Sequence, residues 1–162
     1  MMTSGKVNKM KRFLVVLALI AVMLGVLLYF APQPFENFIA DFSQPCEVFV
    51  YCRQTTLSAT DMGNGFLVEC RADNLNETLS NCVQVDGISV KIAGDEQTFT
   101  ALQQQLKLKV YSVQQLDNLQ ILCGHSNKIA GGIYLDGQVV NIQMAFDGET
   151  ITLGCPLILD SY

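Results

Sequence analysis

The stretch IYLDGQVVNIQMAFDGETITLGC, residues 133–155, decides the fold of this chain. It holds two Asp-Gly pairs, at 136–137 and 147–148, and alternating apolar and polar residues flank both pairs. Asp-Gly between such segments is typical of a two-residue β-hairpin turn, because both residues tolerate the positive φ angles of that turn. The stretch therefore predicts a C-terminal antiparallel β-meander.

The two turns also predict the register of the meander. Its cross-strand pairs are Ile133–Val140, Leu135–Gln138, Phe146–Glu149, Met144–Ile151, Ile142–Leu153 and Val140–Cys155. In this register the apolar residues share one core face, whereas a shift of one residue would divide them between both faces.

The opposite face of the meander would carry a flat polar strip. We predict this strip as a candidate binding surface for a peptide or glycan, and the alternative is a plain solvated sheet face. The strip consists of Tyr134, Asn141, Gln143, Thr150 and Thr152.

The residues before the meander supply the second layer. Residues 88–92 alternate as a half-buried strand, and Asp95 can cap a helix over 96–106. The apolar face of that helix consists of Phe99, Leu102 and Leu106. A helix of this kind would cover the apolar face of the meander, which predicts an α+β fold with a two-layer antiparallel sheet/helix domain over 86–162.

Three shorter elements connect the helix to the meander. Residues 108–110 open a second strand, and residues 112–115 match a capping box that predicts a short helix. Asp117-Asn118 would close that helix, and a third strand would follow over 119–123.

Residues 46–85 form a cysteine-rich hairpin region, with strands predicted over 47–53 and 65–72 and a short helix near 74–82. Placing Cys52 opposite Cys70 centres the turn near 61–63, where the composition suits a turn. In that register both cysteines share a face with the apolar residues Val48, Val50, Phe66 and Val68.

The C-terminal residues resemble a bacterial family. VNIQMAF at 140–146, TLGCPLI at 152–158 and the final Ser161-Tyr162 are similar to the end of YwmB-like secreted proteins, as is GHSNKI at 124–129. The resemblance covers about residues 86–162. It implies a fold like that of the TATA-box-binding protein, a curved antiparallel sheet with helices on one side, and it implies no biochemical role. The shorter front half and the many cysteines depart from that family.

The N-terminal region predicts a membrane anchor. Residues 13–30 (FLVVLALIAVMLGVLLYF) carry no charge, and an apolar run of this length can just span a bilayer. The basic tail over 1–12 places the N-terminus in the cytoplasm and the rest of the chain outside it. A cleaved signal peptide, and hence a secreted protein, is the alternative, although bulky residues stand where small ones are needed.

Residues 31–45 would link the anchor to the domain. Their four large apolar residues recur at helical spacing, which predicts a short amphipathic turn either on the membrane surface or, as we expect, packed against the domain. These residues are Phe35, Phe38, Ile39 and Phe42.

All six cysteines follow the anchor, and an even number outside the membrane predicts disulfides without fixing their connectivity. The candidates are Cys46, Cys52, Cys70, Cys82, Cys123 and Cys155. A zinc site is an alternative, although no two cysteines have the usual two to four residues between them. Free thiols in a reducing compartment are the third interpretation.

Composition and charge argue against several functions. Beyond residue 30, six basic and fifteen acidic residues give a net charge of −9, and such a surface repels nucleic acid. The Asp residues are explained by turns and caps, so no catalytic carboxylate pair stands out. Cys123 and His125 would lie about 6–7 Å apart on one strand, which is not the contact that a thiol hydrolase needs.

We therefore expect a membrane-anchored, extracytoplasmic, non-enzymatic domain that binds a partner protein or an envelope component, with no metal, cofactor or nucleic acid. The alternative is a structural or signalling accessory that acts through its membrane helix. A thiol- or metal-dependent enzyme is the least favoured interpretation.

Overall fold

The computed structural model describes residues 4–29, 31–42 and 45–159, and in the first of these ranges it describes the side chains of 14–26. The chain divides into two compact units, Met1–Ala31 and Pro32–Tyr162.

The first unit contains one helix, α1 (Ser4–Tyr29). Ten large apolar side chains between residues 14 and 26 are 48–66% exposed. Among the residues that the structure describes, no helix is long and apolar enough to cross a membrane, so the transmembrane helix predicted over 13–30 is not supported by the structure.

The second unit is built on one antiparallel sheet of eight described strands. They are β1 (Glu47–Thr55), β2 (Thr60–Asp61), β3 (Phe66–Arg71), β4 (Cys82–Ala93), β5 (Lys109–Leu116), β6 (Leu119–His125), β9 (Ile142–Phe146) and β10 (Thr150–Cys155). Their order across the sheet is β2-β3-β1-β4-β10-β9-β6-β5. The strands β7 (Ile133–Leu135) and β8 (Gln138–Val140) form a separate two-stranded sheet.

Three helices cover one face of the large sheet, here called the helix-side face. They are α2 (Phe35–Ala40), α3 (Leu75–Ser80) and α4 (Glu96–Leu106). Their apolar side chains form one core with a buried row across five strands, namely Val48, Val90, Leu153, Met144 and Leu122. The predicted α+β architecture with an antiparallel sheet is therefore confirmed. The opposite side of the sheet is called the back face.

The helix α4 begins and ends where the sequence predicts. The side chain of Asp95 accepts a hydrogen bond from the backbone N–H of Thr98 at 2.8 Å, which satisfies one of the unpaired amides of the first turn. These hydrogen bonds hold the pKa of the Asp95 carboxyl below its ordinary value. Phe99, Leu102 and Leu106 are buried, as their spacing predicts.

The helix α2 belongs to the same core. Phe35 is 3% exposed and Ile39 is fully buried, so the segment packs against the domain, as expected. Just before α2, the backbone of Gln33 forms two hydrogen bonds of 2.8 Å with the backbone, one with Lys128 and one with Ala130, and these fix the start of the helix.

The short helix predicted over residues 112–118 is wrong. These residues belong to β5 and to the turn after it, in which Asp117 has a φ of 52°. The capping-box pattern is overridden because residues 112–116 of β5 pair with β6, which satisfies backbone groups that a helix would have used.

The meander is confirmed in part. Ile133–Val140 and Leu135–Gln138 pair as predicted, but β7 and β8 leave the large sheet, and the predicted core residues Ile133 and Leu135 are 37% and 43% exposed. The chain leaves the sheet at Asn141, whose side chain bonds the backbone of the preceding loop instead of standing on the sheet surface.

The second turn of the meander has a different register from the predicted one. Phe146 pairs with Ile151, and Met144 pairs with Leu153. The side chain of Asp147 accepts hydrogen bonds from the amides of Glu149 at 2.9 Å and Thr150 at 2.7 Å. Asp147 is therefore the first residue of the turn and not one of its two central residues. The displacement is two residues, so the side chains of β9 and β10 keep their predicted faces.

The front hairpin shows the same kind of displacement. Cys70 lies opposite Val48, and Cys52 lies opposite Phe66, whereas the prediction paired Cys52 with Cys70. The reason is β2, which pairs with β3 and lengthens the connection between β1 and β3. The predicted set of residues that share the core face is nevertheless confirmed, because the difference in register is four residues.

After β10 the chain reverses at a cis Cys155–Pro156 bond and crosses the back face. The amides of Ile158 and Leu159 donate to the Gln143 Oε1 atom at 2.9 Å and to the Ser89 Oγ atom at 2.8 Å. Gly154 makes this possible, since a Cβ atom there would lie 2.3 Å from the Ile158 nitrogen. The C-terminal tail, residues 156–159, therefore lies directly on one half of the back face.

Candidate functional site

The other half of the back face contains a groove of about 570 Å³. Its floor is a row of cross-strand neighbours on β3, β1, β4, β10 and β9, here called the back-face row. The row consists of Arg71, Glu47, Lys91, Thr152 and Ala145. These residues come from distant parts of the sequence and meet only because of the strand order.

The groove exists because small side chains stand between long ones. Thr152 and Ala145 are 4% and 1% exposed and form the deepest part of the floor. Lys91 and Glu47 flank them on one side, and Leu119 of β6 lines the other side. Short side chains at the centre of a twisted sheet leave a trough that a ligand can enter.

Charges alternate along one end of the row. Arg71, Glu47 and Lys91 occupy adjacent strands, which are spaced by about 4.8 Å, so a positive, a negative and a positive group follow one another. The Lys91 Nζ atom lies 5.3 Å from the centre of the Phe49 ring, so the aromatic face holds the ammonium over the sheet. Arg71 also contacts Asp73 at 3.6 Å, but both side chains are exposed and the pair contributes little.

Asp147 places a second carboxylate at the rim of the groove. Hydrogen bonds from the amides of Glu149 and Thr150, together with the charge of Lys91, hold the pKa of Asp147 below its ordinary value. This carboxylate therefore stays ionised at neutral pH. The groove thus offers two cations, two anions and the hydroxyls of Thr150 and Thr152, which suits a ligand of mixed charge.

The five predicted binding residues do not come together. Tyr134 is 76% exposed on the separate β7–β8 hairpin, and Asn141 is fully buried. Gln143 lies on the back face beneath the C-terminal tail, where it accepts the hydrogen bond from Ile158. Thr150 and Thr152 line the groove.

Sequence reasoning missed the residues that contribute most of the charge in the groove. The alternation over residues 88–92 places Lys91 on the polar face of its strand, but nothing in the sequence connects Arg71, Glu47 and Asp147 with it. The alternation in residues 47–53 and 88–92 carries a signal for the face of each side chain. No local pattern indicates that these charged residues lie close together, because their proximity depends on β1 lying between β3 and β4 in the sheet.

The predicted disulfides are not supported, since all six cysteines, each within the described part of the chain, are free thiols. Cys70 and Cys52 face Val48 and Phe66 in the β1–β3 pairing, and Cys123 faces Gln143, so neither pairing sets two cysteines opposite each other. Cys52 and Cys82 contact each other by a hydrogen bond but are not joined.

Most of the thiols are held in the protonated form. Burial, followed by a hydrogen bond with Cys82, raises the pKa of Cys52 to about 11. Burial also raises the pKa of Cys155 to about 12, and it is the main cause of the raised pKa of Cys46 and of Cys70. The thiolate is the nucleophilic form, so these environments oppose thiol chemistry.

Cys123 and His125 lie two residues apart on β6, as predicted. Within the described residues, the structure has no group of three or more His, Cys, Asp or Glu side chains that could hold a metal ion.

No protein-family model, curated protein or solved structure matches this chain. The resemblance of residues 86–162 to YwmB-like proteins and to their fold therefore stays a prediction.

Proposed function

We propose that the Pro32–Tyr162 unit is a non-enzymatic binding domain whose back-face groove takes an extended peptide segment of a partner protein. The observation that carries the proposal is the back-face row, which brings alternating charges and two small floor residues together in a groove of about 570 Å³. Ligand sites are typically concave and of about 300–1,000 Å³.

The C-terminal tail supports a peptide as the ligand. This face of the sheet already holds a short segment of its own chain through two backbone amides that donate to side-chain oxygens. The adjoining half offers the same kinds of acceptors, the hydroxyls of Thr150 and Thr152 and the carboxylate of Glu47. An extended peptide can therefore bind beside the tail by the same chemistry.

The charges of the groove define the ligand further. A peptide whose acidic residue faces Lys91 and whose basic residue faces Glu47 or Asp147 would match the row, whereas a uniformly charged peptide would meet like charges. The net charge of −9 beyond residue 30 adds a general preference for basic partners at low salt.

We propose that residues 13–30 anchor the chain in a membrane with the N-terminus in the cytoplasm and the domain outside it. The sequence supports this location through the uncharged run and the basic residues before it. The high exposure of the apolar side chains between residues 14 and 26 adds support, since such a surface is stable only when lipid or other helices cover it. Secretion after cleavage is the alternative, and the N-terminus of the mature chain in membrane and medium fractions distinguishes the two.

Selection of peptides by the full-length protein tests the proposed function. A displayed library of random twelve-residue peptides would be panned on the wild type, on Lys91→Glu and on the double variant Glu47→Lys/Lys91→Glu. We expect peptides with mixed charge to be enriched on the wild type and to lose at least tenfold in affinity on Lys91→Glu, because a cation that faces the peptide becomes an anion. The double variant should enrich peptides in which the acidic and basic positions are exchanged.

The matched control is Lys128→Glu, which makes the same change of charge at an exposed residue outside the groove. It should bind the selected peptides as the wild type does. Equal losses on Lys91→Glu and Lys128→Glu would mean that net charge and not the groove determines binding, and the proposal would fail.

A second candidate function is that of an accessory which acts by packing α1 against other membrane helices. The exposed apolar side chains of α1 are the observation in its favour. Replacing residues 13–30 by an unrelated membrane anchor should preserve the function if the groove carries it and abolish the function if the helix does.

A further inference from the structure

The hairpin of β7 and β8 stands apart from the large sheet and concentrates exposed apolar side chains. Of the ten large apolar residues that are exposed in the described part of Pro32–Tyr162, four lie in this hairpin, which spans only residues 133–140. They are Ile133, Tyr134, Leu135 and Val139. A concentration of exposed apolar side chains usually marks a surface that is covered in the working protein.

Both faces of the hairpin are apolar. Tyr134 pairs with Val139 on one face, and Ile133 and Leu135 lie on the other. Val140 at the base is 3% exposed, so the hairpin is buried at its base, whereas residues 133–139 are all exposed. A protein that docks on one face would leave the other apolar face in water, whereas lipid can surround both faces.

The hairpin is rooted beside the point where the chain leaves the proposed membrane anchor. The anchor ends at residue 30, and Gln33 follows within three residues, which span at most about 10 Å. The backbone of Gln33 forms hydrogen bonds of 2.8 Å with Lys128 and Ala130. The first residue of the hairpin, Ile133, comes three residues after Ala130. The hairpin therefore begins within reach of the headgroups of a bilayer that holds the anchor.

The polar groups of the hairpin set the depth at which it would lie. Asp136 has a φ of 47° in the turn, and Gln138 follows it on β8. Such groups are costly in hydrocarbon, so they keep the turn out of the bilayer core. Tyr134 combines an aromatic ring with a polar end, and side chains of this type are enriched at membrane–water interfaces. The composition suits the headgroup layer.

We infer that the β7–β8 hairpin is a second membrane contact, which lies in the headgroup layer and holds the domain against the bilayer. The inference rests on the proposed anchor over residues 13–30. A second copy or another protein could also cover apolar side chains, but the root of the hairpin at Gln33 and the exposure of both faces favour lipid. The hairpin does not line the back-face groove, so the two sites would act separately.

Tryptophan fluorescence of the full-length protein in phosphatidylcholine vesicles tests this contact. The chain contains no tryptophan, so one introduced residue accounts for the whole tryptophan signal. Brominated acyl chains quench a tryptophan that they contact, and the bromine is placed near the headgroup in one lipid and near the chain end in another. We expect the tryptophan of Tyr134→Trp to lose most of its fluorescence in the first lipid and less in the second.

Two further variants make the result specific. Met62→Trp is the matched control, because Met62 is also exposed but follows β2 at the opposite edge of the sheet, and its tryptophan should keep its fluorescence in both lipids. Leu19→Trp places the probe within the proposed anchor, and we expect the lipid with bromine near the chain end to quench it.

The three positions distinguish the inference from the anchor on which it rests. Quenching at position 19 without quenching at position 134, or equal quenching at positions 134 and 62, would overturn the hairpin contact and leave the anchor in place. Absence of quenching at position 19 would overturn the anchor and the hairpin contact together.

Discussion

Removing the small Asn141 side chain should strongly reduce the free energy of unfolding of the Pro32–Tyr162 unit. Its side chain is fully buried, where the sequence had placed it on the outer face of the sheet. The Oδ1 atom accepts from the Ser126 amide at 2.8 Å, and the Nδ2 atom donates to the carbonyls of Ser126 at 2.9 Å and Ile129 at 2.7 Å. Ser126 also donates its hydroxyl to the carbonyl of Leu106, so Asn141 ties α4, the loop after β6 and the start of β9 together.

The variant Asn141→Ala removes the partner of two backbone groups, the Ser126 N–H and the Ile129 carbonyl, whereas the Ser126 carbonyl keeps a hydrogen bond from the Ile129 amide at 3.4 Å. Ser126 is fully buried and Ile129 is 3% exposed, so water cannot readily replace the lost amide. A buried backbone group without a partner costs about 1–3 kcal/mol, which gives a loss of at least about 2 kcal/mol for the two groups. This is a large fraction of the roughly 5–15 kcal/mol that stabilises an ordinary domain.

Urea unfolding of the full-length chain, read by pulse proteolysis, measures this loss. Asn127→Ala is the control, since Asn127 is exposed and adjacent to the same loop. We expect Asn127→Ala to change the free energy of unfolding by less than about 0.5 kcal/mol. An Asn141→Ala variant as stable as Asn127→Ala would refute the reasoning, because it would show that these hydrogen bonds contribute nothing to the fold.

Three further predictions follow from single contacts. Gly154→Ala should release the C-terminal tail, because the new Cβ atom would lie 2.3 Å from the Ile158 nitrogen, and the Ile158 and Leu159 amides should then exchange with deuterium at the rate of an open chain. Asp147 has a lowered pKa in the folded state, so the stability that it provides is present above about pH 4 and disappears as the pH falls through its folded pKa. Asp147→Asn should therefore remove the part of the loss of stability in acid that comes from protonation of this carboxylate. Cys155 has a pKa raised to about 12, so its stability is present below its ordinary pKa of 9.0 and is lost as the pH rises towards 12. Cys155→Val should therefore unfold less readily than the wild type when the pH is raised above 9, and an unchanged alkaline curve would contradict the burial of this thiol.

The sequence predicted the elements that local rules control. The helix α4 was predicted at both ends, because Asp95 caps it and its apolar residues recur at helical spacing. The faces of the strands were predicted as well, since alternation survives a displacement of two or four residues. Two registers were not predicted. The hydrogen bonds of the Asp147 side chain shape the second turn of the meander, and β2 lengthens the connection of the front hairpin, and turn composition alone reveals neither.

The groove could be predicted only in fragments. Thr150 and Thr152 were identified from the alternation of the meander, but their neighbours Lys91 and Glu47 come from strands whose order in the sheet has no local signal. Asn141 and Gln143 were predicted to lie on the same polar strip. Their roles differ because one bonds a buried loop and the other bonds the C-terminal tail.

The central claim is that the groove holds an extended peptide, and photo-cross-linking of a selected peptide tests it most directly. The reactive residue p-benzoylphenylalanine would replace Thr150 at the rim of the groove in one preparation and Thr100, an exposed residue of α4, in another. We predict that the peptide becomes attached to the protein at position 150 and not at position 100. Attachment at position 100 alone, or at neither position by a peptide that still binds, would contradict the account.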